Sequence, residues 1–395
     1  MGTTGTGRLA GVDAARGTAL IGMMAVHVVP ARGDGGATTT AHLLAAGRSA
    51  ALFAVLAGVG VALATGARRP VQGERRRRWS VALVARAALV GAVGLLLGLL
   101  ESGVAVILAY YAVLFVVAVP LLGLRPRVLA ALAAAVAVVA PVVSFLVRPA
   151  MDDPILRSPT FGTLVDDPAG LLQTLLVTGY YPVIGWTAYL CAGLAVGRLA
   201  LGERRVDAAL LFGGTALAVA ATVASALLLR TGGGLGRIAE VTALRGRDVA
   251  DVVAEGRFGN VPTTTWWWLA SDAPHSTTPV DLLHTTGTAL AVLGAMLLLA
   301  GTLRGWGSWL LVPLAAAGSM PLTLYCLHLL VLDAVAPGNR PDPMAFWAVQ
   351  VVGALVLAPL WRHLVGRGPL EAGLAALTRR VTGASRGAPG RLPGT

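Results

Sequence analysis

The sequence contains no lysine, so all 31 of its basic residues are arginines, and only 19 residues are acidic. Charged residues make up 13% of the 395 positions and hydrophobic ones 56%, more apolar surface than a soluble core of this size can bury. The formal charge of +12 first suggests a polyanionic partner. The arginines, however, lie in short connectors between apolar stretches, as in polytopic membrane proteins. The composition therefore predicts an integral membrane protein and no nucleic-acid partner.

Cysteine is nearly absent as well. Cys191 and Cys326 each lie inside an apolar run, so the sequence predicts neither a disulfide framework nor a Cys/His zinc site. The glycine-rich stretch GGGLG has no strand before it and does not qualify as a phosphate-binding loop. We therefore expect no metal and no tightly bound cofactor.

Apolar runs long enough to cross a membrane predict an all-α, polytopic helix bundle of about ten spans. A short re-entrant or interfacial helix is predicted at 169–178. The predicted spans are approximately 10–31, 43–66, 80–101, 103–122, 127–148, 182–201, 207–229, 279–302, 309–333 and 343–365.

The arginines also predict orientation. If the N-terminus is cytoplasmic, 19 arginines fall inside and nine outside, with three within spans. Because short cytoplasmic connectors favour Arg and Lys, we expect a multi-pass protein of the plasma membrane with both termini in the cytoplasm. The predicted domains are a membrane domain at 1–368, with an outer loop at about 230–278, and a cytoplasmic tail at 369–395 that is largely disordered at its end.

Ionisable residues within spans are costly and usually face the interior of the bundle. Asp13 and Arg16 are three positions apart near the inner end of the first span, and Arg86 lies in the third. The spacing of the first two fits an ion pair needed only for packing. It equally fits a cationic site for an anionic ligand from the cytoplasm, with Arg86 as a second cation.

Five of the six histidines fall toward the outer side under this topology; they are His27, His42, His275, His284 and His328. A neutral histidine can act as a general base toward a hydroxyl or an amine. Packing and interfacial roles are the alternative for each residue. We take His27 and His42 as catalytic candidates, and His328 and His284 as candidates for lining an acceptor pocket.

Three consecutive tryptophans occur late in the outer loop, in TTTWWWLASDAPHSTTP, and are expected at the bilayer surface. An aromatic belt that anchors the loop is one interpretation. The other is a stacking platform for a substrate, for which Trp266 is the candidate.

The opening stretch RLAGVDAARGTALIGMMAVH resembles the first motif of the heparan-alpha-glucosaminide N-acetyltransferase-like membrane family and its bacterial relatives. Asp13, Arg16, Gly17 and His27 are its most specific positions. Further similar blocks occur along most of the chain; they are GRSAALFAVLAGVGVAL, YPVIGWTAYLCAGLAVGRLAL, SMPLTLYCLHLLVL and RGPLEAGL.

The resemblance implies a transmembrane acyltransferase. Such an enzyme takes an acetyl or similar acyl group from acetyl-CoA or another acyl-CoA in the cytoplasm and passes it to an extracytoplasmic acceptor, a sugar or cell-envelope glycan. Its catalytic group is a histidine in the outer loop after the first helix, where this sequence has His42. The spacing from the first motif is longer here and the surrounding aromatic residues are missing, so His27 stays beside His42. Arg16 and Arg86 would then hold the donor's phosphates, and Asp13 would position Arg16.

The remaining expected partners are membrane lipid and a second copy of the chain, in a homodimer. A function of another class also fits the residues. Buried charges and histidines can form the path of a proton-coupled transporter or exporter of a small solute. The sequence shows no inverted repeat to support that alternative.

Overall fold

The computed structural model describes residues 6–152, 155, 157–303, 305–335 and 342–383, and this part of the chain is helical without a named strand. An isolated bridge pairs Arg32 with Thr38. The α-helices are α1 (Thr6–Val28), α2 (Thr40–Ala45), α3 (Arg48–Ala64), α4 (Gly73–Leu97), α5 (Leu108–Leu121), α6 (Pro126–Val147), α7 (Phe161–Asp166), α8 (Pro168–Gln173), α9 (Val183–Gly197), α10 (Arg204–Ala226), α11 (Gly234–Val241), α12 (Val249–Ala254), α13 (Pro279–Thr302), α14 (Val312–Ser319), α15 (Pro321–Ala334), α16 (Pro343–Leu364) and α17 (Pro369–Thr382). The prediction of an all-α fold is confirmed.

Each of the ten predicted spans overlaps at least one of these helices. However, fewer than ten of the helices are long and apolar enough to cross a membrane by themselves. Six helices of the described part are long and apolar enough, and two bent pairs raise this number to eight. The six are Thr40–Ala64, Gly73–Leu97, Pro126–Ala150, Arg204–Thr231, Pro279–Thr302 and Pro343–Leu364. Helix α5 has only 14 residues, short of the roughly 20 that a bilayer requires. The molecule is a membrane protein whose described part has six to eight candidate spans, and the number ten stays a prediction.

The two bent pairs are broken helices. A π-helix at Thr174–Thr178 continues α8 and meets α9 at an angle of 55°. This short segment coincides with the re-entrant or interfacial helix predicted at 169–178. The predicted span at 309–333 is divided at Met320, where α14 and α15 meet at 75°.

Glycines bring several helices into backbone contact. A β-carbon at Gly193 of α9 would overlap the carbonyl oxygen of Val55 in α3, and one at Gly318 of α14 would overlap that of Asp13 in α1. Gly17 meets the Leu314 carbonyl in the same crossing. Small residues commonly mediate helix packing in membranes, because an apolar side chain gains little free energy by moving from lipid into a helix interface. The glycine of the Asp-x-x-Arg-Gly motif thus has a packing role.

Buried polar contacts hold one end of the bundle together. Arg198, just after α9, is 3% exposed and donates to the carbonyls of Ala67 and Leu122, which belong to two other connectors. The carboxylate of Glu371 in α17 accepts from the backbone N–H groups of Leu322 and Thr323 at the start of α15. We call this end of the bundle, where Arg198 and Glu371 lie, the arginine-rich end.

The opposite end carries a layer of loops and short helices, α7, α8, α11 and α12. A small core of its own includes Trp268, which is 1% exposed under the guanidinium of Arg257. The prediction that all three loop tryptophans lie at the bilayer surface is therefore wrong for Trp268. Its indole is large and apolar enough to form the centre of this core, and its N–H donates to Thr264.

Candidate functional site

One face of α1 connects the two ends of the bundle. Arg16, Leu20, Met23 and His27 follow one another at helical spacing and therefore lie on the same side of the helix. His27 lies eleven positions after Arg16, which corresponds to about 16.5 Å along the helix axis. Helix α1 thus fixes the distance and the relative orientation of two groups. They are the guanidinium of Arg16 at the arginine-rich end and the imidazole of His27 at the opposite end, near the loop layer.

At the arginine-rich end, Nη1 of Arg16 lies 2.8 Å from Oδ1 of Asp13, so the predicted ion pair is formed. The guanidinium reaches toward α3, where a β-carbon on Gly60 would stand 3.0 Å from Nη2. Arg86 of α4 lies 5.0 Å from the centre of the Phe115 ring. Its Nε is buried and has no hydrogen-bond partner in the described part of the chain. Arg86 thus forms no ion pair within the described part of the chain, although the carboxylate of Glu371 lies close enough to act on its charge.

Arg16 and Arg86 line one cavity of about 310 Å³. Its other lining residues are Met23, Phe53, Leu56, Ala57, Gly60, Val61, Val90, Ile107, Leu108, Tyr111, Phe115, Ser319, Pro321, Leu322, Tyr325, Glu371 and Leu374. Polar and charged groups lie at its arginine-rich end, and apolar and aromatic ones farther in. The hydroxyl of Tyr111 is buried and has no partner among the described residues. We call this space the donor cavity.

A pair of histidines lies about one helical turn beyond the inner end of the donor cavity and does not line it. Met23 and Tyr325 line it, and His27 and His328 lie four and three residues farther along the same two helices. Nδ1 of His27 is 3.1 Å from Nε2 of His328, and the rings stack with their centres 5.3 Å apart.

The hydrogen bonds around this pair determine its tautomers. Nδ1 of His328 lies 2.7 Å from Oε1 of Gln350, an oxygen that can only accept, so Nδ1 carries the proton in neutral His328. Nε2 of His328 is then an acceptor, and His27 must donate from its own Nδ1. The lone pair of neutral His27 is therefore at Nε2, where no described residue forms a hydrogen bond.

A third histidine and an aromatic cluster lie next to His27. His275 comes from the loop layer and lies close enough to His27 to affect its charge. Its ring centre is 4.7 Å from that of Tyr180 and 5.6 Å from that of Tyr181, which in turn packs on Trp186. Burial lowers the pKa of His275 to about 4, so this imidazole is neutral at pH 7. The surroundings of His27 on this side are aromatic and uncharged.

The other predicted site residues lie elsewhere. His42 is on α2, with Nδ1 3.5 Å from the hydroxyl of Thr39, and it lines none of the described cavities. His284 accepts from Nε of Arg48 at 3.0 Å and contacts Thr222 through Nδ1, so both of its nitrogens are used within the fold. Trp266 is 52% exposed and packs on Phe145, 4.4 Å between ring centres.

Sequence reasoning missed three groups of this site. Gln350 is the single uncharged amide in the apolar run of α16, a signal that could have been used. Tyr111 and Tyr325 lie in apolar helices and look like ordinary core residues in the sequence. Two acidic residues of the apolar helices, Asp281 and Asp333, accept from the backbone N–H groups of Thr277 and Glu101.

Comparison with known proteins adds one finding. The family described as "Heparan-alpha-glucosaminide N-acetyltransferase, catalytic" matches residues 8–229, more than half of the chain. The match includes Asp13, Arg16, His27, His42 and Arg86 and ends before His328. No curated protein and no solved structure matches significantly. The chain therefore belongs to the heparan-alpha-glucosaminide N-acetyltransferase family, whose catalytic domain it carries.

Proposed function

We propose that the protein is a membrane acyltransferase that moves an acetyl or similar acyl group from cytoplasmic acyl-CoA to an acceptor on the other side, a sugar or cell-envelope glycan. One observation carries the proposal: two arginines line one end of the donor cavity, and a hydrogen-bonded histidine pair lies about one helical turn beyond Met23 and Tyr325 at its other end. Family membership supports the same chemistry. The arginine-rich end is cytoplasmic in this proposal, because short connectors rich in arginine stay on that side.

The donor would enter at the arginine-rich end. Its phosphates would lie near Arg16 and Arg86, since arginine forms strong charge-assisted hydrogen bonds to phosphate. The apolar wall of the donor cavity suits the pantetheine arm, a long uncharged chain. Its thioester would then reach the level of Tyr111 and Met23, where the free hydroxyl of Tyr111 can donate to the thioester carbonyl.

The transfer step uses the lone pair of His27. Nε2 removes the proton from the acceptor's hydroxyl or amine as its oxygen or nitrogen attacks the thioester carbonyl carbon. The C–S bond breaks, the proton passes to the sulfur, and free coenzyme A leaves on the cytoplasmic side. Because His328 and Gln350 hold the proton of neutral His27 at Nδ1, the lone pair of His27 stays at Nε2, where it can act as a base. His42 remains the alternative base, and His284 and Trp266 remain candidates for contact with the acceptor.

Binding of the donor can be tested without knowing the acceptor. We expect acetyl-CoA to raise the thermal stability of the purified protein, by roughly 2.7 kcal/mol at a hundredfold excess over the dissociation constant. The Arg16→Ala variant should require about tenfold or more acetyl-CoA for the same shift, because a charged hydrogen bond is lost. Arg237→Ala, in the exposed loop layer, serves as the control and should behave like the wild type.

Absence of any stabilisation by acetyl-CoA, in a sample that is folded, would contradict the proposal. The charged cavity and the histidines would then favour the proton-coupled transporter, and uptake or export by vesicles containing the protein would be measured next.

Gln350 provides a second test, as a positioning residue. Gln350→Met removes one acceptor of His328 at similar size, which weakens the preference of the pair for a single tautomer. We expect kcat to fall about 10- to 100-fold, with KM for acetyl-CoA unchanged, as for other residues that orient a functional histidine. Gln350→Glu keeps an accepting oxygen and should recover part of the rate. An unchanged kcat in Gln350→Met would show that the pair needs no such support.

A further inference from the structure

We propose that the acceptor is a hydroxyl compound, so that transfer forms an ester, and that His275 holds the attacking hydroxyl against His27. This inference rests on the proposed function and deepens it, because it names the class of acceptor and a further residue that contacts it. His275 comes from the loop layer, the side from which the acceptor would enter. It lies outside the residues that match the family, 8–229.

The imidazole of His275 is available to a ligand. It packs against Tyr180 and Tyr181, but neither of its nitrogens forms a hydrogen bond with a described residue. His275 and His27 both keep some accessible surface, so a small group can reach them. The two rings lie close enough for His275 to affect the charge of His27, yet no hydrogen bond joins them. A third group of the size of a hydroxyl can therefore bridge the two imidazoles.

A strained turn holds His275 in this position. His275 and Thr277 have φ angles of 57° and 49°, in the left-handed region that β-branched residues such as threonine rarely adopt. The N–H of Thr277 donates to Oδ2 of the buried Asp281 at 3.0 Å. The carbonyl of His275 accepts from the N–H of Gly259 at 2.9 Å. Strained backbone persists where neighbouring contacts impose it, and it is concentrated at functional sites.

The two imidazoles have different roles. Burial keeps His275 neutral at pH 7 by lowering its pKa to about 4, so it is a hydrogen-bonding group and a poor base. His27 has its lone pair at Nε2, because His328 and Gln350 hold the proton at Nδ1. A hydroxyl that donates to Nε2 of His27 can also accept from the N–H of His275. Its second lone pair is then left for the attack.

The groups near His27 favour a hydroxyl over an amine. Among the described residues, His328 and His275 are the titratable groups close enough to affect the charge of His27, and neither is a carboxylate. Aliphatic amines are mostly ammonium ions at pH 7, and an ammonium ion is costly to bury without a carboxylate. A hydroxyl enters uncharged. It also requires the general base that His27 provides, because its own pKa lies far above 7.

The step is balanced with the groups already present. Nε2 of His27 takes the hydroxyl proton as the hydroxyl oxygen bonds to the thioester carbonyl carbon. The C–S bond breaks, the new C–O bond remains as an ester, and the proton moves from His27 to the sulfur of coenzyme A. His275 stays neutral throughout, and no further reactant is required.

The linkage in the product tests the class of acceptor. The full-length protein in detergent is incubated with labelled acetyl-CoA and a cell-envelope extract, and the product is treated with alkaline hydroxylamine, which cleaves esters and leaves amides intact. We expect release of the label. Label that resists hydroxylamine would overturn the hydroxyl acceptor and leave the proposed function intact. If the folded protein neither binds acetyl-CoA nor transfers the label, the proposed function itself fails.

Two substitutions test the role of His275. His275→Phe keeps an aromatic ring against Tyr180 and Tyr181 but removes both nitrogens, whereas His275→Gln removes the ring and restores a donor and an acceptor. Both place an unbranched residue at the same left-handed φ, so the strain of the turn is matched. We expect His275→Phe to lower the rate of transfer at limiting extract about tenfold or more, with unchanged binding of acetyl-CoA. His275→Gln should recover part of the rate.

His363→Phe is the matched control, because His363 is an exposed histidine in the last turn of α16. It should bind acetyl-CoA and transfer the label like the wild type. Unchanged binding of acetyl-CoA shows that each variant is folded. Transfer at the wild-type rate by His275→Phe would overturn the role of His275, because the ring would then serve packing alone.

Discussion

The His27→Ala variant is expected to lose acyl transfer about 10²- to 10⁴-fold, the contribution typical of a general base. Its imidazole is the one group of the histidine pair whose lone pair is not used by a described neighbour. Binding of acetyl-CoA should survive, because Arg16 and Arg86 remain in place. The measurement is transfer of labelled acetyl to an acceptor extract, together with thermal titration of the donor.

His42→Ala is the companion variant. We expect it to keep most of its activity, since His42 lies on α2 and contacts Thr39, whereas His27 follows Met23 of the donor cavity by one helical turn and pairs with His328. Loss of activity in His42→Ala alone would transfer the role of base to His42. Full activity in both single variants and in the double variant would show that neither residue is the base.

Gly318→Ala is expected to prevent stable folding. The added methyl group would overlap the carbonyl oxygen of Asp13 and crowd the backbone of Gly17, so α14 must move away from α1. Overpacking of this kind costs about 1–3 kcal/mol or more, and here both obstacles are backbone atoms that cannot rotate aside. We expect a large drop in melting temperature and in the yield of monodisperse protein.

The control is the same substitution where space is open. Gly353 of α16 is helical, and a β-carbon there meets nothing within 4 Å. Gly353→Ala should be neutral or stabilise the protein by about 0.4–1 kcal/mol, because it lowers the entropy of the unfolded chain. Equal stability of Gly318→Ala and the wild type would mean that the α1–α14 crossing can relax.

The helical fold could be predicted from the sequence, because the length of apolar runs and the positions of the arginines between them indicate membrane helices. The broken spans were less accessible. The run at 309–333 is largely apolar, and α15 begins at Pro321, just after the break at Met320; Glu371, far along the chain, accepts from the first N–H groups of α15. Hydropathy contains no information about such a distant partner.

Within the site, the spacing of Asp13 and Arg16 on one helix predicted their ion pair, and the structure contains it. The pairing of His27 with His328 joins residues 301 positions apart, and no local pattern predicts it. Arg86 was found as a charge in an apolar run, whereas Tyr111 and Gln350 were not found, because their roles depend on which neighbours face them. The assignments of His27, His42, Asp13, Arg16, Arg86, His328, His284 and Trp266 to catalysis or binding remain predictions.

The uninterrupted α1 has a consequence for how this sequence can vary. Every residue inserted or deleted between Arg16 and His27 would rotate one relative to the other by about 100° and shift them by about 1.5 Å. A single insertion would thus turn the imidazole away from His328 while leaving the helix itself sound. We therefore expect the number of residues between Arg16 and His27 to tolerate less change than their identity.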